Sequence, residues 1–171
     1  MDRDHFYITL FSNAFQEIYP NNKIAAFTIQ LALPIRLDPS EICEVGLCEL
    51  SYSASPHHLQ ILSLNYFVNA LMYCDLIAAQ LTGTAKVRCL GSFRIVPTDY
   101  DSEYLFQNVY YVPVEKKTFR DIRIDILNES GELIPFSDSQ IPLKVVHHFR
   151  RVVTHSYIYM TSIPRPLHLQ V

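Results

Sequence analysis

Two histidine pairs are the residues in this sequence whose types first suggest chemistry. His57 and His58 follow a proline, and His147 and His148 lie in a run that alternates apolar and polar residues. Zinc is bound by imidazoles that converge on one centre, but adjacent residues of a strand point to opposite faces of the sheet. Neither pair can therefore chelate through both rings if it lies in a strand. We predict no metal ligand at either pair, and we expect His147 to be a hydrogen-bonded histidine of the core.

The cysteines are the other candidates for a metal site or a nucleophile. A catalytic thiol needs an electropositive, partly exposed setting, and a zinc site needs closely spaced ligand pairs. The cysteines of this chain form no C-x-x-C pair and lie in apolar strand patterns: Cys43, Cys48, Cys74 and Cys89. We therefore predict buried free thiols in a protein that folds in a reducing compartment.

Acidic residues alternate in a polar stretch predicted to be a loop over residues 98–103. Asp99, Asp101 and Glu103 could offer oxygen ligands to a hard cation, although a solvated acidic loop is the commoner use of such a pattern. The sequence has no G-x-S-x-G nucleophile elbow and no Gly-rich phosphate loop. We predict no catalytic residue, no cofactor, no bound metal and no enzymatic activity.

The composition is that of one folded domain with little charge. Only 18% of the 171 residues are charged, against about 25% in a typical soluble domain. Either an aromatic β-rich core or a surface covered by partner subunits accounts for this. The net charge of −3 gives no basic field for nucleic acid, and no apolar run approaches the roughly 18 residues of a membrane span. We expect neither nucleic-acid binding nor a membrane span.

Alternation of period two dominates the chain and predicts an all-β protein. The second of eight such stretches places Phe27, Ile29, Leu31 and Leu33 on one face and ends at Pro34. The seventh and eighth stretches are the cleanest, and we predict that their apolar face fills the core with Ile122, Ile124, Ile126, Leu143, Val145 and Phe149.

The turn signals favour one architecture for these strands. The chain has four glycines and few tight-turn motifs, so most connections are longer crossovers, which favours a Greek-key jelly roll over an up-and-down barrel. We predict a single eight-stranded antiparallel jelly roll (a β-sandwich) over residues 1–151. A bulge near Cys48 and Glu49, a strand over 105–112 and one short helix over 75–80, capped by Asp75, complete the prediction.

Ordered short motifs give the chain a resemblance to a known family. It resembles the penton-type minor capsid proteins of Polinton/Maverick elements and of their viral relatives, the adintoviruses and adomaviruses, over residues 6–151. The motifs are Phe6-x-Ile-x-Leu10, Ser12-Asn-Ala14, Tyr19-Pro-x-Asn22, Glu44-Val-Gly-Leu-x-Glu49, Tyr73-Cys-Asp-Leu-Ile77, Tyr111-Val-Pro113, Phe119-x-x-Ile122, Gly131-x-x-Ile-Pro-Phe136 and His148-Phe-Arg-Arg151.

The resemblance implies a structural virion protein with a single jelly roll. Five copies would form the capsomer at each five-fold vertex of an icosahedral capsid, and a separate double-jelly-roll major capsid protein would build the faces. The chain would then be made in the host cytoplasm, with the cytoplasm or the nucleus as the place of assembly, and would reside at the capsid vertex.

The last twenty residues, 152–171, are predicted to be an extended arm. Pro164 and Pro166 prevent a helix, and the segment is too apolar for a free solvated terminus. We expect it to lie on a neighbouring subunit or on the surrounding capsid. The alternative is that it folds back on its own barrel as an edge strand. The predicted contact residues are Tyr157, Tyr159, Arg165 and Leu167.

Two other classes of function remain open from the sequence. One is a jelly-roll binding module that recognises a carbohydrate or a cell-surface receptor. Such a module needs a pocket in its loops that exposes aromatic rings or carries a bound cation. The other is an enzyme on a β-barrel scaffold, which needs convergent titratable groups. The oligomeric state separates an assembling subunit from both.

Overall fold

The structure is a computed structural model that describes residues 5–14, 16–53, 68–82, 84–95, 101–136 and 142–152. These ranges contain eleven strands and no helix. In chain order the strands are β1 (His5–Phe11), β2 (Ala26–Arg36), β3 (Ile42–Ser53), β4 (Val68–Cys74), β5 (Gln80–Thr82), β6 (Ala85–Val87), β7 (Cys89–Ile95), β8 (Asp101–Leu105), β9 (Tyr111–Pro113), β10 (Thr118–Asn128) and β11 (Lys144–Val152).

Two antiparallel sheets hold nine of these strands. Sheet A has the order β1-β11-β3-β8, with β9 also paired to β3, and sheet B has the order β2-β10-β4-β7. Strands β5 and β6 form a separate hairpin. The prediction of an all-β, antiparallel protein is confirmed. The predicted count of eight strands is wrong for the described part of the chain.

Two predicted strands are each divided in the structure, which raises the count. The predicted fifth strand is split into β6 and β7, because β6 pairs with β5 in a hairpin whereas β7 pairs with β4 in sheet B. The stretch 105–112 contains the end of β8 and the start of β9, with irregular backbone between them. Residues 101–103, which were predicted to be part of a loop, belong to β8.

Both sheets turn an apolar face to one core. The six predicted core residues are each at most 1% exposed, which confirms that prediction. The rings of Phe119 on β10 and Phe149 on β11 stack across the two sheets with centroids 6.0 Å apart. Burial of side chains of this size stabilises the fold by about 1.5–3 kcal/mol each.

A bulge lies at Cys48, as predicted. Val146 pairs with Glu49 and His147 pairs with Leu47, so Cys48 has no partner across the ladder. The extra residue changes the phase of β3. Leu47 and Leu50 can therefore both be buried although three positions separate them.

The predicted helix over 75–80 is wrong. The backbone of this segment bonds to a distant part of the chain instead of to itself: the N–H of Ala78 donates to the carbonyl of Pro113 at 2.9 Å, and the carbonyl of Leu76 accepts from the N–H of Glu115 at 2.9 Å. The Asp75 carboxylate accepts a hydrogen bond from the backbone N–H of Arg123 at 2.8 Å instead of capping a helix. A β-bridge between Ile77 and Val114 holds the segment in place.

The second half of β2 departs from the predicted pattern. Phe119 pairs with Ile35 and Asp121 with Gln30, so residues 31–34 stand opposite a single residue of β10. We call these four residues the β2 bulge. Leu33 was predicted to face inward, but it is 77% exposed, and the strand continues past Pro34 to Arg36. An edge strand such as β2 tolerates proline because its outer N–H groups have no ladder partner.

Candidate functional site

The pair formed by His147 and His148 is divided between the two faces of sheet A, as predicted. His147 points into the core opposite Ile8 and Leu47 and is 1% exposed. Neither ring nitrogen of His147 has a hydrogen-bond partner in the described part of the chain, so the expectation of a hydrogen-bonded histidine is wrong. Loss of solvent around the ring lowers the pKa of His147 to about 4, because burial disfavours the charged imidazole.

His148 is part of an aromatic row on the outer face of sheet A. The row crosses four strands at one level, since Tyr7 pairs with His148, His148 with Gly46, and Gly46 with Tyr111. The His148 ring stacks on that of Tyr7 with centroids 4.4 Å apart. Its Nδ1 lies 2.7 Å from the hydroxyl of Tyr111. Burial, with smaller effects of His5 and Arg150, lowers the pKa of His148.

Gly46 is the position in this row where a side chain would not fit. A Cβ atom there would lie 2.3 Å from Cγ1 of Val109 and 3.0 Å from the carbonyl oxygen of Tyr110. Because glycine has no Cβ, the segment before β9 can close over β3 and present Tyr111 to His148. The glycine is needed for close approach rather than for an unusual backbone angle.

An ion pair covers the end of the aromatic row. The guanidinium of Arg150 lies 3.6 Å from the centroid of the Tyr111 ring, and its Nη2 donates to Glu44 at 2.8 Å. Farther along the same face, Lys144 pairs with Glu49. The guanidinium of Arg150 is thus engaged both by an aromatic face and by a carboxylate.

The four cysteines are free thiols. Cys43 and Cys74 are buried as predicted, but Cys48 and Cys89 are only half-buried. Burial raises the pKa of all four thiols, and that of Cys74 to about 12. Thiols with a raised pKa are poor nucleophiles at neutral pH because little thiolate is present.

The acidic stretch does not form a cation site in the described residues. Glu103 is exposed on β8, Asp101 begins the same strand, and Asp99 lies outside the described residues. No group of three or more potential metal ligands comes together in the ranges that the structure describes. His57 and His58 also lie outside these ranges.

Two apolar surface features lie at the lateral edges of the protein. At one edge the β2 bulge exposes Leu33. At the other edge, beside β7, which ends sheet B, a cavity of about 370 Å³ opens to solvent. Its lining is largely apolar and includes Leu47, Leu71, Leu90, Gly91, Phe106 and Tyr110.

The sequence contained only a partial signal for these edge features. The alternation of apolar and polar residues stops in the run Leu31-Ala-Leu-Pro34. Three or more consecutive apolar residues break the period-two pattern of a strand and indicate a bulge or an exposed patch. The cavity has no local signal because its lining comes from five separate segments of the chain.

The predicted contact residues of the C-terminal arm are not part of the described structure. Strand β11 ends at Val152, and Tyr157, Tyr159, Arg165 and Leu167 lie beyond it. The described residues contain no helix of the length and apolarity that crossing a membrane requires.

Comparison with solved structures gives an informative likeness. No protein-family model and no curated protein matches the chain. A crystal structure of the mavirus penton protein matches with a TM-score of 0.56 and 7% sequence identity. The match covers 86% of this chain and 99% of the mavirus chain. The fold is penton-like. At this low identity the likeness concerns the fold, and it extends over the two sheets as a whole rather than over one motif.

Proposed function

We propose that this chain is a structural virion protein, the penton subunit at the vertices of an icosahedral capsid. The observation that carries the proposal is the likeness to the mavirus penton protein over 99% of that protein's length. The resemblance of the ordered sequence motifs to those of Polinton-type penton proteins supports the same conclusion. In this proposal five copies form a ring, and a double-jelly-roll major capsid protein surrounds it.

The pairing of the strands supports a jelly roll. The pairs are nested along the chain: β1 pairs with β11, β2 with β10, β3 with β8 and β9, and β4 with β7. A jelly roll has this nesting because an antiparallel ribbon of strands is wrapped around a barrel. Each sheet then contains strands from distant parts of the chain, as in the order β1-β11-β3-β8.

The side chains of the described residues support a structural rather than a catalytic role. His147, the one fully buried histidine among the described residues, has no carboxylate or hydroxyl partner there, which an acid–base catalyst would need to hold its tautomer. The thiols have raised pKa values. The charged groups on the outer face of sheet A are engaged with each other, so their chemistry is that of a packed surface.

The mass of the purified assembly tests the proposal. We expect native mass spectrometry to find a closed ring near five times 19.8 kDa, since one head-to-tail contact repeated by rotation gives a closed ring. Co-expression with the proposed double-jelly-roll major capsid protein should place the ring at capsid vertices in electron micrographs. Twofold dimers alone, or capsids whose vertices lack the chain, would contradict the proposal.

The alternative of a carbohydrate- or receptor-binding module makes a different prediction. Such a module would remain monomeric at high concentration and would bind glycans through exposed aromatic rings. Tyr7, which is 61% exposed, is the aromatic side chain for such a test. Monomers that bind a glycan with the wild-type Tyr7 but not with Tyr7→Ala would favour the module over the penton.

A further inference from the structure

We infer that His148 and the side chains around it form a pH-sensitive latch on the first half of strand β1. The latch consists of His5, Tyr7, Tyr111, His148 and Arg150. While the His148 ring is neutral, the latch holds residues 5–7 against β11, and protonation of the ring releases them. The inference goes beyond the proposed function and does not depend on it, because all of these groups belong to one subunit.

The ring of His148 is enclosed by side chains from two other strands. Tyr7 of β1 covers one face of the ring, with centroids 4.4 Å apart. His5 of the same strand meets the ring edge-on at a centroid distance of 5.6 Å, and the hydroxyl of Tyr111 on β9 lies 2.7 Å from Nδ1. The side chains that β1 places on this face therefore pack against a single titratable ring.

The hydrogen bonds around His148 suit a neutral ring. Its Nε2 is buried and has no hydrogen-bond partner in the described part of the chain, and a charged imidazole carries an N–H on both nitrogens. Burial raises the pKa of Tyr111, so this hydroxyl stays neutral in acid and can only turn to accept from Nδ1. The Nε2–H of the charged ring would remain a buried donor without an acceptor, which favours an opening that admits water.

The acidic groups that β3 places on this face are already engaged. The Glu44 carboxylate accepts from Nε and Nη2 of Arg150 at 3.0 and 2.8 Å, and Glu49 farther along the strand pairs with Lys144. Cys48 of the same strand keeps a neutral thiol in acid, because burial raises its pKa. A proton on the enclosed ring therefore adds a positive charge that these groups do not compensate.

The sign of the pH dependence follows from these surroundings. Burial of the ring, with smaller effects of His5 and Arg150, lowers the pKa of His148 below its ordinary value of 6.5. When residues 5–7 leave β11, the ring returns to water and binds the proton more readily. The stability that the neutral ring gives to this part of β1 is therefore complete above pH 6.5 and is lost as the pH falls through the folded pKa.

The packing of β1 confines the release to its first half. Among the described strands β1 pairs with β11 alone. The first half reaches the core through Phe6, which is only partly buried, whereas Ile8 and Leu10 of the second half are buried. Beyond the strand, the N–H of Ser12 donates to the carbonyl of Leu143 at 2.9 Å, and its hydroxyl accepts from the N–H of Leu143 at 3.1 Å. Release of residues 5–7 thus leaves the rest of β1 in place and uncovers one edge of β11 for pairing.

Amide hydrogen exchange of the full-length chain between pH 8 and pH 5 measures the release. The protection factors of the β11-bonded amides in residues 5–7 should fall about tenfold per pH unit between 6.5 and the folded pKa of His148, because one proton drives the opening. The matched control is His147→Gln, which removes the titrating ring of the core on the opposite face of β11. In this variant residues 5–7 should still lose protection in acid, whereas residues 9–11 should keep theirs.

Two substitutions and one titration decide whether His148 is the group responsible. His148→Phe keeps a ring against Tyr7 but cannot titrate, so residues 5–7 should have the same protection at pH 5 as at pH 8. His148→Gln makes the same prediction and replaces it if the phenylalanine variant does not fold. A fall of wild-type size in the variant, or no fall in the wild type, overturns the inference.

The pKa of His148 in the folded wild-type chain, measured by NMR titration of the ring, provides the second criterion. We expect a value below 6.5 that moves toward 6.5 in Arg150→Gln, because that substitution removes a neighbouring positive charge. The fall in protection should shrink by the same factor in this variant. A folded pKa at or above 6.5 in the wild type would show that attraction of the charged ring to the face of Tyr7 prevails, and the inference would be overturned.

Discussion

Phe6 and Phe149 are stacked nearly parallel at paired positions of β1 and β11, with ring centroids 4.8 Å apart and 3° between their planes. The ring of Phe149 also stacks on that of Phe119 of sheet B, with centroids 6.0 Å apart. Phe149 thus joins the first strand, the last described strand and the second sheet. Three segments that are far apart in sequence converge on this one side chain.

Replacement of Phe149 by alanine should therefore be among the most damaging single changes. We expect Phe149→Ala to lower the free energy of unfolding by about 3–5 kcal/mol, since a large cavity forms where two sheets meet. Phe11→Ala, at a half-exposed position of β1, should change it by less than about 1 kcal/mol. Chemical denaturation of the two variants provides the measurement. Equal effects would show that the stacking is unimportant.

His147 should make the fold sensitive to acid. Its folded pKa of about 4 lies below the ordinary value of about 6.5, so the unfolded state binds the proton more readily. The stability that the neutral ring contributes is complete above pH 6.5 and is lost as the pH falls toward 4, by about 3 kcal/mol in total. Chemical unfolding followed from pH 8 to pH 4 should show this loss.

Two variants separate the titration of His147 from its packing. His147→Gln removes the titrating group but keeps a buried polar side chain, so the loss between pH 6.5 and 4 should shrink without a gain at pH 8. His147→Leu removes the unpartnered nitrogens as well and should stabilise the fold at pH 8, because unsatisfied buried polar groups cost about 1–3 kcal/mol. An unchanged pH profile in both variants would assign the acid sensitivity to other groups.

Substitutions of Gly46 and Gly91 by alanine form a matched pair, because an added Cβ atom would clash at the first position and not at the second. Gly46→Ala forces a Cβ atom against Val109 and the backbone of Tyr110, and we expect it to destabilise the fold by about 1–3 kcal/mol. Gly91→Ala meets only Leu47 at 3.9 Å and should be tolerated. Thermal unfolding of the two variants checks the difference, and a loss of the Tyr111–His148 contact should accompany only the first.

Deletion of residues 155–171 tests the predicted C-terminal arm. Strand β11 ends at Val152, so the deletion leaves the described sheets intact. We expect the truncated protein to melt at the wild-type temperature but to lose assembly, because Tyr157, Tyr159, Arg165 and Leu167 would no longer contact a neighbour. A lower melting temperature of the isolated subunit would instead place the segment on its own barrel as an edge strand.

The sequence by itself determined the elements that depend on local periodicity. Side chains alternate across a strand, so Ile122, Ile124 and Ile126 could be assigned to the core and His147 and His148 to opposite faces. A break in that alternation located the bulge at Cys48. These are short-range regularities, and a strand buried on one face preserves them because any slip of one residue would expose its apolar side chains.

Only the tertiary structure decided which segments meet. The residues 75–80 resembled a capped helix, but the Asp75 carboxylate bonds to Arg123, a partner that local sequence does not reveal. The exposure of Leu33 depends on how β2 pairs with β10. The cavity at the other edge depends on how β3, β4 and β7 are placed. Long-range pairing is fixed by the total burial of both sheets, which no window of sequence contains. The surfaces that remain uncovered are therefore a property of the whole fold.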